Sequence, residues 1–232
     1  MNVEVSHRPA YALATVSLDA DEVVVAEGGA MVSMDTHVTV ETTAAKKEGQ
    51  GLMGGLMAGL KRMVAGESFF QNKFKATGSA GTVTFAPKHV GDIVSYTMDG
   101  SCGMVLQSTA YLCSADTVEI DAKWGGSKSF FGGEGLFMLK ASGSGPIVFN
   151  SFGAIKEIDV TSDFIVDNGH IVAFEDTLNF TNTKFGSGIL QSILGGEGMV
   201  CKFTGTGKLW IQTRNPQGFG EALASKLPLR PN

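Results

Sequence analysis

The chain has 232 residues, with 18 Lys plus Arg against 23 Asp plus Glu and a formal net charge of −5. That length can bury one substantial core, and that charge sets up no global field toward nucleic acid or anionic lipid. Charged residues are only 18% and hydrophobic residues 43%, against roughly 25% charged in an average soluble domain, which fits a protein that covers part of itself in an oligomer.

In chain order, the amino-terminal residues show no basic stretch followed by an apolar one, so no secretory leader is expected. Val23-Val24-Val25 is a continuous apolar run, as for a strand covered on both faces. His37-Val38-Thr39-Val40-Glu41 alternates polar and apolar, the mark of a half-buried antiparallel strand. Residues 49–66 differ in kind. Leu52, Leu56, Leu60 and Met63 recur at helical spacing, and Met53 and Met57 widen the stripe. Gly51, Gly55 and Gly59 form two overlapping GxxxG steps, which let another backbone approach closely. This helical insert is too short to span a bilayer.

Then comes the feature that organises the chain. Lys75-Ala76-Thr77-Gly78-Ser79-Ala80-Gly81 is followed by Thr82-Val83-Thr84-Phe85 in strand register, and the motif recurs at Lys140-Ala141-Ser142-Gly143-Ser144-Gly145 and Lys202-Phe203-Thr204-Gly205-Thr206-Gly207. Apolar runs follow each later copy, at Ile147-Val148-Phe149 and Leu209-Trp210-Ile211. Such recurrence reads as one supersecondary unit duplicated. Asp99-Gly100 and Asn168-Gly169 lie between apolar runs and read as hairpin turns, with Asp19-Ala20-Asp21 as their counterpart. Thr117-Val118-Glu119-Ile120-Asp121-Ala122 alternates without a break, Ser187–Gly196 echoes the insert, and residues 218–225 suit one or two helical turns before a fraying tail.

The expected fold is therefore all-β: one compact domain over 1–232, made of pseudo-repeats 1–89, 90–157 and 158–232. Each is an antiparallel β-sandwich-like unit, and the three share one continuous core around a threefold pseudo-axis, with the Gly/Met-rich helix as an insert.

Chemistry is sparse. His7, His37, His89 and His170 are scattered without an HxH or HExxH pattern, and no serine sits in a GxSxG elbow. Cys102, Cys113 and Cys201 are widely spaced and read as buried free thiols in a reducing, cytoplasmic compartment. No catalytic residue, metal ligand or cofactor is expected. Lys75, Lys140 and Lys202 could ring the pseudo-axis and hold an anion; as strand residues they could equally face solvent. The insert (Gly51, Leu52, Met53, Gly55, Leu56, Met57, Gly59, Leu60, Met63) could contact a protein partner, a sister subunit or a membrane surface, or pack on its own sheets.

Val25-Ala26-Glu27-Gly28-Gly29-Ala30-Met31-Val32-Ser33-Met34, the Gly-Leu-Met insert, Gly66-Glu67-Ser68-Phe69-Phe70 and Ala86-Pro87-Lys88-His89-Val90-Gly91-Asp92-Ile93 together resemble a widespread uncharacterised family. Its eukaryotic members are of the altered-inheritance-of-mitochondria type, linked to mitochondrial biogenesis and inner-membrane organisation. The resemblance implies a fold like that of the tryptophan RNA-binding attenuator protein, with the attenuator's single unit present three times here. It carries over no tryptophan pocket, RNA-contacting basic residue or catalytic residue. The expected function is a non-enzymatic scaffold or interaction protein, acting as a homo-oligomer or with a protein partner, with peripheral membrane contact open and no nucleic acid or known small molecule. The alternative is a small-ligand or anion binder using the pseudo-axis or an inter-repeat groove.

Overall fold

The computed structural model describes residues 1–44, 70–122, 138–184, 199–224 and 226–227. The insert positions Gly51, Leu52, Met53, Gly55, Leu56, Met57, Gly59, Leu60 and Met63 lie outside them, as does the echo at 187–196.

The described residues form an all-β molecule with antiparallel strand pairing throughout. The first third holds β1 (Asn2–Ser6), β2 (Leu13–Leu18), β3 (Val23–Glu27), β4 (Met31–Met34), β5 (Val38–Ala44), β6 (Phe70–Ala76) and β7 (Gly81–Phe85). The second holds β8 (Ile93–Asp99), β9 (Met104–Gln107), β10 (Tyr111–Ala115), β11 (Val118–Asp121) and the 13-residue β12 (Met138–Asn150). The third holds β13 (Ile155–Val160), β14 (Phe164–Asp167), β15 (Ile171–Glu175), β16 (Asn179–Lys184), β17 (Met199–Thr204) and β18 (Gly207–Gln212), followed by α1 (Pro216–Ala224). The Asn215 side chain accepts a bond from the Gln217 amide at 2.9 Å, and Pro216 follows it, so α1 begins with a polar cap and a proline in its first turn.

One pairing order recurs in each third. Strand β2 pairs with β7, β8 with the second half of β12, and β13 with β18. Strand β4 pairs with β7, β10 with β12 and β15 with β18, each with a register shift, at Met31/Ser33, Tyr111/Cys113 and Ile171/Ala173. Strands β3 and β5 flank β6, β9 and β11 flank the first half of β12, and β14 and β16 flank β17. By this pairing the third set begins at Ile155, so the expected boundary at 157/158 falls inside β13.

The turns predicted as hairpins are not hairpins. Gly100 has the positive φ its turn demands, +84°, yet β8 and β9 on either side both pair with β12, on its two halves. Strands β2 and β3 likewise pair with β7 and β6, and β14 and β15 with β17 and β18. The glycine motifs are corners rather than turns, where a strand passes from one set of partners to the next. The corner is tight at Gly143: its φ is +109°, and a Cβ there would lie 2.3 Å from the Thr117 carbonyl oxygen. Glycine alone fits such a position.

Among the described residues, strand pairing joins the thirds at β3·β10 and β9·β15. Strands β4 and β14 each end a smaller sheet, in the orders β1-β2-β7-β4 and β14-β17-β16. Among the described residues the three strand sets thus form a row in which β4 and β14 are the strands left without a junction partner, and closure about a threefold pseudo-axis does not follow from it. Buried apolar residues gather in three clusters rather than one continuous core. The first is built around Phe74 and Phe85, the second around Tyr111, Phe149 and Trp210, and the third around Phe174 and Phe203. Each cluster has an edge-to-face aromatic pair, Phe74–Phe85 at 5.3 Å, Phe149–Trp210 at 5.4 Å and Phe174–Phe203 at 5.1 Å.

Candidate functional site

The three lysines of the proposed anion ring each have a carboxylate of their own. Lys75 lies 3.2 Å from Asp21, Lys140 3.0 Å from Asp176 and Lys202 2.5 Å from Asp163. Each of these charges is thus paired locally, with a different carboxylate. The three are not structural counterparts. Lys140 lies opposite Val105 and Asp121, and Lys202 opposite Ile165 and Thr181. In the first third that place, opposite Val25 and Glu41, belongs to Lys73.

The junctions between thirds are built from these counterparts. At β3·β10, Lys73 reaches Asp116 of the next third at 2.5 Å, and the Tyr111 hydroxyl donates to the Val25 carbonyl at 3.0 Å. At β9·β15, Lys140 reaches Asp176, which also accepts the Gly103 amide at 2.9 Å. Beside that junction Glu175 takes a bond from the Tyr96 hydroxyl at 2.9 Å and another from the Lys208 amide at 2.8 Å. The ring of Tyr96 stacks edge-on against Trp210 at 5.1 Å, and the Trp210 indole N–H donates to Glu157 at 3.0 Å.

Burial, and then the bond to Glu175, push the Tyr96 phenol up to about 12. A raised phenol makes folding favour the protonated form: its contribution is complete below the unfolded value of about 10 and is lost as pH climbs through the folded one. Alkaline titration at 295 nm should therefore lose, in Tyr96→Phe, one tyrosinate signal with a midpoint near 12. Loss of a signal near 10 instead would contradict the Tyr96–Glu175 contact.

Of the three thiols expected to be buried, Cys113 and Cys201 are, while Cys102 is half-buried. Burial pushes the Cys201 thiol up to about 12 and raises Cys113 further, opposite in sense to an activated nucleophile. The ring nitrogens of His37 and His170 lie 2.9 and 2.7 Å from the carbonyls of Ala80 and Gln212. Among the described residues no cluster of His, Cys, Asp and Glu is arranged for a metal, and no helix is long and apolar enough to cross a membrane. An open depression of about 540 Å³ beside Met1, Leu18, Asp35 and Thr82 lies away from both junctions.

What stands out is the pair of open edges. On β4, Met31 is 42% exposed and Val32 56%, whereas Tyr111 and Leu112, at the same places on β10, are fully buried. On β14, Ile165 is 56% exposed, whereas its counterpart Val105 on β9 is fully buried. Apolar positions that the interior of the row covers are bare at its two ends. Sequence reasoning takes Phe164-Ile165-Val166 as an apolar run beside the Asn168-Gly169 turn and does not mark Met31–Met34 as a strand, and it foresees neither as an exposed edge, because such runs read like those of buried strands. The only signal was their phase relative to the lysine–glycine corners.

The fold and these edges define an all-β protein of three like-paired strand sets, open at both ends. The chain belongs to the family described as mitochondrial biogenesis AIM24, which matches residues 3–214. It is 32% identical over 226 residues to an uncharacterised protein of Streptococcus pyogenes serotype M6, covering 96% of this chain and 89% of that one. It is also similar to the X-ray crystal structure of a Streptococcus pyogenes protein solved as a structural genomics target. The TM-score is 0.78 with 28% identity, over 97% of this chain and 99% of that one.

Proposed function

We propose that the protein is a non-enzymatic, cytoplasmic scaffold that binds a protein partner or further copies of itself through its open sheet edges. The observation that carries this reading is the exposure of Met31, Val32 and Ile165 at places equivalent to buried ones inside the same molecule. Contiguous exposed apolar surface on a strand edge is a liability unless something covers it. The Gly51–Met63 segment, with Leu and Met recurring at helical spacing in its sequence, serves in the same reading as a second contact, to a partner, a sister subunit or a membrane surface.

A photo-crosslinking residue at Val32 tests the reading in living host cells. The expected result is a covalent adduct with a polypeptide, absent when the same residue replaces the exposed Tyr11, which is off both edges. Absence of any adduct at Val32 and at Ile165 would refute it.

A further inference from the structure

We infer that β4 of one copy pairs antiparallel with β14 of a second copy, head to tail, continuing between molecules the junction that the chain makes twice within itself. The inference rests on the interaction reading above and names the partner.

Both internal junctions share one register. Lys73, Lys140 and Lys202 lie opposite Val25, Val105 and Ile165, so Ala26, Leu106 and Val166 are equivalent. Ser33, Cys113 and Ala173 each follow the register shift and face Thr84, Val148 and Trp210, so these three are equivalent too. Within the chain Ala26 pairs with Cys113, and Leu106 with Ala173. Two different third-to-third contacts therefore agree to the residue. The same rule places Val166 of one copy opposite Ser33 of the next, Ile165 opposite Met34, and Phe164 opposite Asp35.

The halves of this third junction exist and are bare. Strand β4 offers Met31, Val32 and Met34, and β14 offers Phe164 and Ile165, all exposed. Neither strand carries the proline or lysine that guards an edge against pairing. Because the two edges differ, the contact is heterologous, and copies add in one direction until a ring closes or a filament grows. One feature of the internal junctions is not reproduced: Thr36 stands where Asp116 and Asp176 receive their lysines, and Lys202 is held by Asp163 of its own chain. Main-chain pairing and apolar burial would carry the contact, as in strand addition generally.

Two edge variants test it by native mass spectrometry. Met34→Asp blocks β4 and leaves β14 open; Ile165→Asp does the reverse. Wild type should form assemblies at multiples of 24.3 kDa, and each variant alone should run as a monomer. The equimolar mixture should give a 1:1 dimer and nothing larger, because one open β4 then meets one open β14. Formation of that dimer also shows that both variants fold. Should either fail to fold by circular dichroism, Val32→Lys and Phe164→Lys replace them in the same mixing design. A monomeric wild type, an assembly that survives either substitution, or a mixture that stays monomeric would each overturn the inference. An in-cell adduct at Val32 with a different protein, beside a monomeric purified chain, would sink the self-pairing alone and leave the interaction reading standing; no adduct anywhere would sink both.

Discussion

Replacing Trp210 by alanine is expected to cost about 3–5 kcal/mol of folding stability, the range for truncating a large buried aromatic. Trp210 is fully buried on β18. It packs edge-on against Phe149 at 5.4 Å and Tyr96 at 5.1 Å, both from the second third. Its indole also donates to Glu157 at 3.0 Å. Removing it opens a cavity where the second and third strand sets meet, and takes one of two donors from the Glu157 carboxylate, which keeps Lys208. The measurement is denaturant unfolding followed by far-UV circular dichroism in the Ile165→Asp background, so that association does not enter the midpoint. A fall in midpoint at unchanged slope is expected. Trp210→Phe keeps a ring in the cluster and should lose markedly less. A loss below about 1 kcal/mol in the alanine variant, a size usual for surface changes, would mean that Trp210 does not join the two sets.

Gly143→Ala should destabilise by about 2–3 kcal/mol or more, since strain from an unfavourable φ alone is worth about 1–3 kcal/mol. At Gly143 the φ of +109° is compounded by the Thr117 carbonyl, 2.3 Å from where the new methyl would sit. Relief would require β12 and the turn before β11 to separate, and those elements carry the Val118–Gly143 pairing. Gly218→Ala is the control. It lies in α1 with nothing within 4 Å of its added methyl, so it should raise stability by about 0.5–1 kcal/mol, the ordinary helix preference for alanine. Thermal unfolding of the two variants side by side checks the claim that the repeated glycines are steric corners. Equal effects would contradict it.

Much of the local structure was legible in the sequence, and the long-range partners were not. Alternation in Val118-Glu119-Ile120-Asp121 correctly marks a strand with Val118 buried and Glu119 exposed. The continuous runs at Ile147–Phe149 and Leu209-Trp210 are buried. The positive φ at Gly100 was readable from Asp99-Gly100, but that turn chemistry is local, while the choice of β12 as partner for both flanking strands is made across separations from 31 residues (Gln107 to Met138) to 57 (Ile93 to Asn150). The lysine motif recurs three times in the sequence, but in the first copy its spacing falls on Lys75, two residues out of phase with the structural counterpart Lys73. Lys73 and Phe85 are 12 positions apart, whereas Lys140 and Phe149, and Lys202 and Ile211, are 9 apart. The extra residues in that corner bring Lys75 into the motif's spacing and move Lys73 out of it. The open edges were illegible for a different reason. Met31-Val32-Ser33-Met34 has the composition of an interior strand, and only its place at the end of the row leaves it uncovered.

Native mass spectrometry of the wild-type chain across a wide concentration range addresses the central claim most directly. If the bare edges are two halves of one junction, the spectrum will show species at whole-number multiples of 24.3 kDa that grow with concentration or settle at one closed size. A single 24.3 kDa species at every concentration would contradict it.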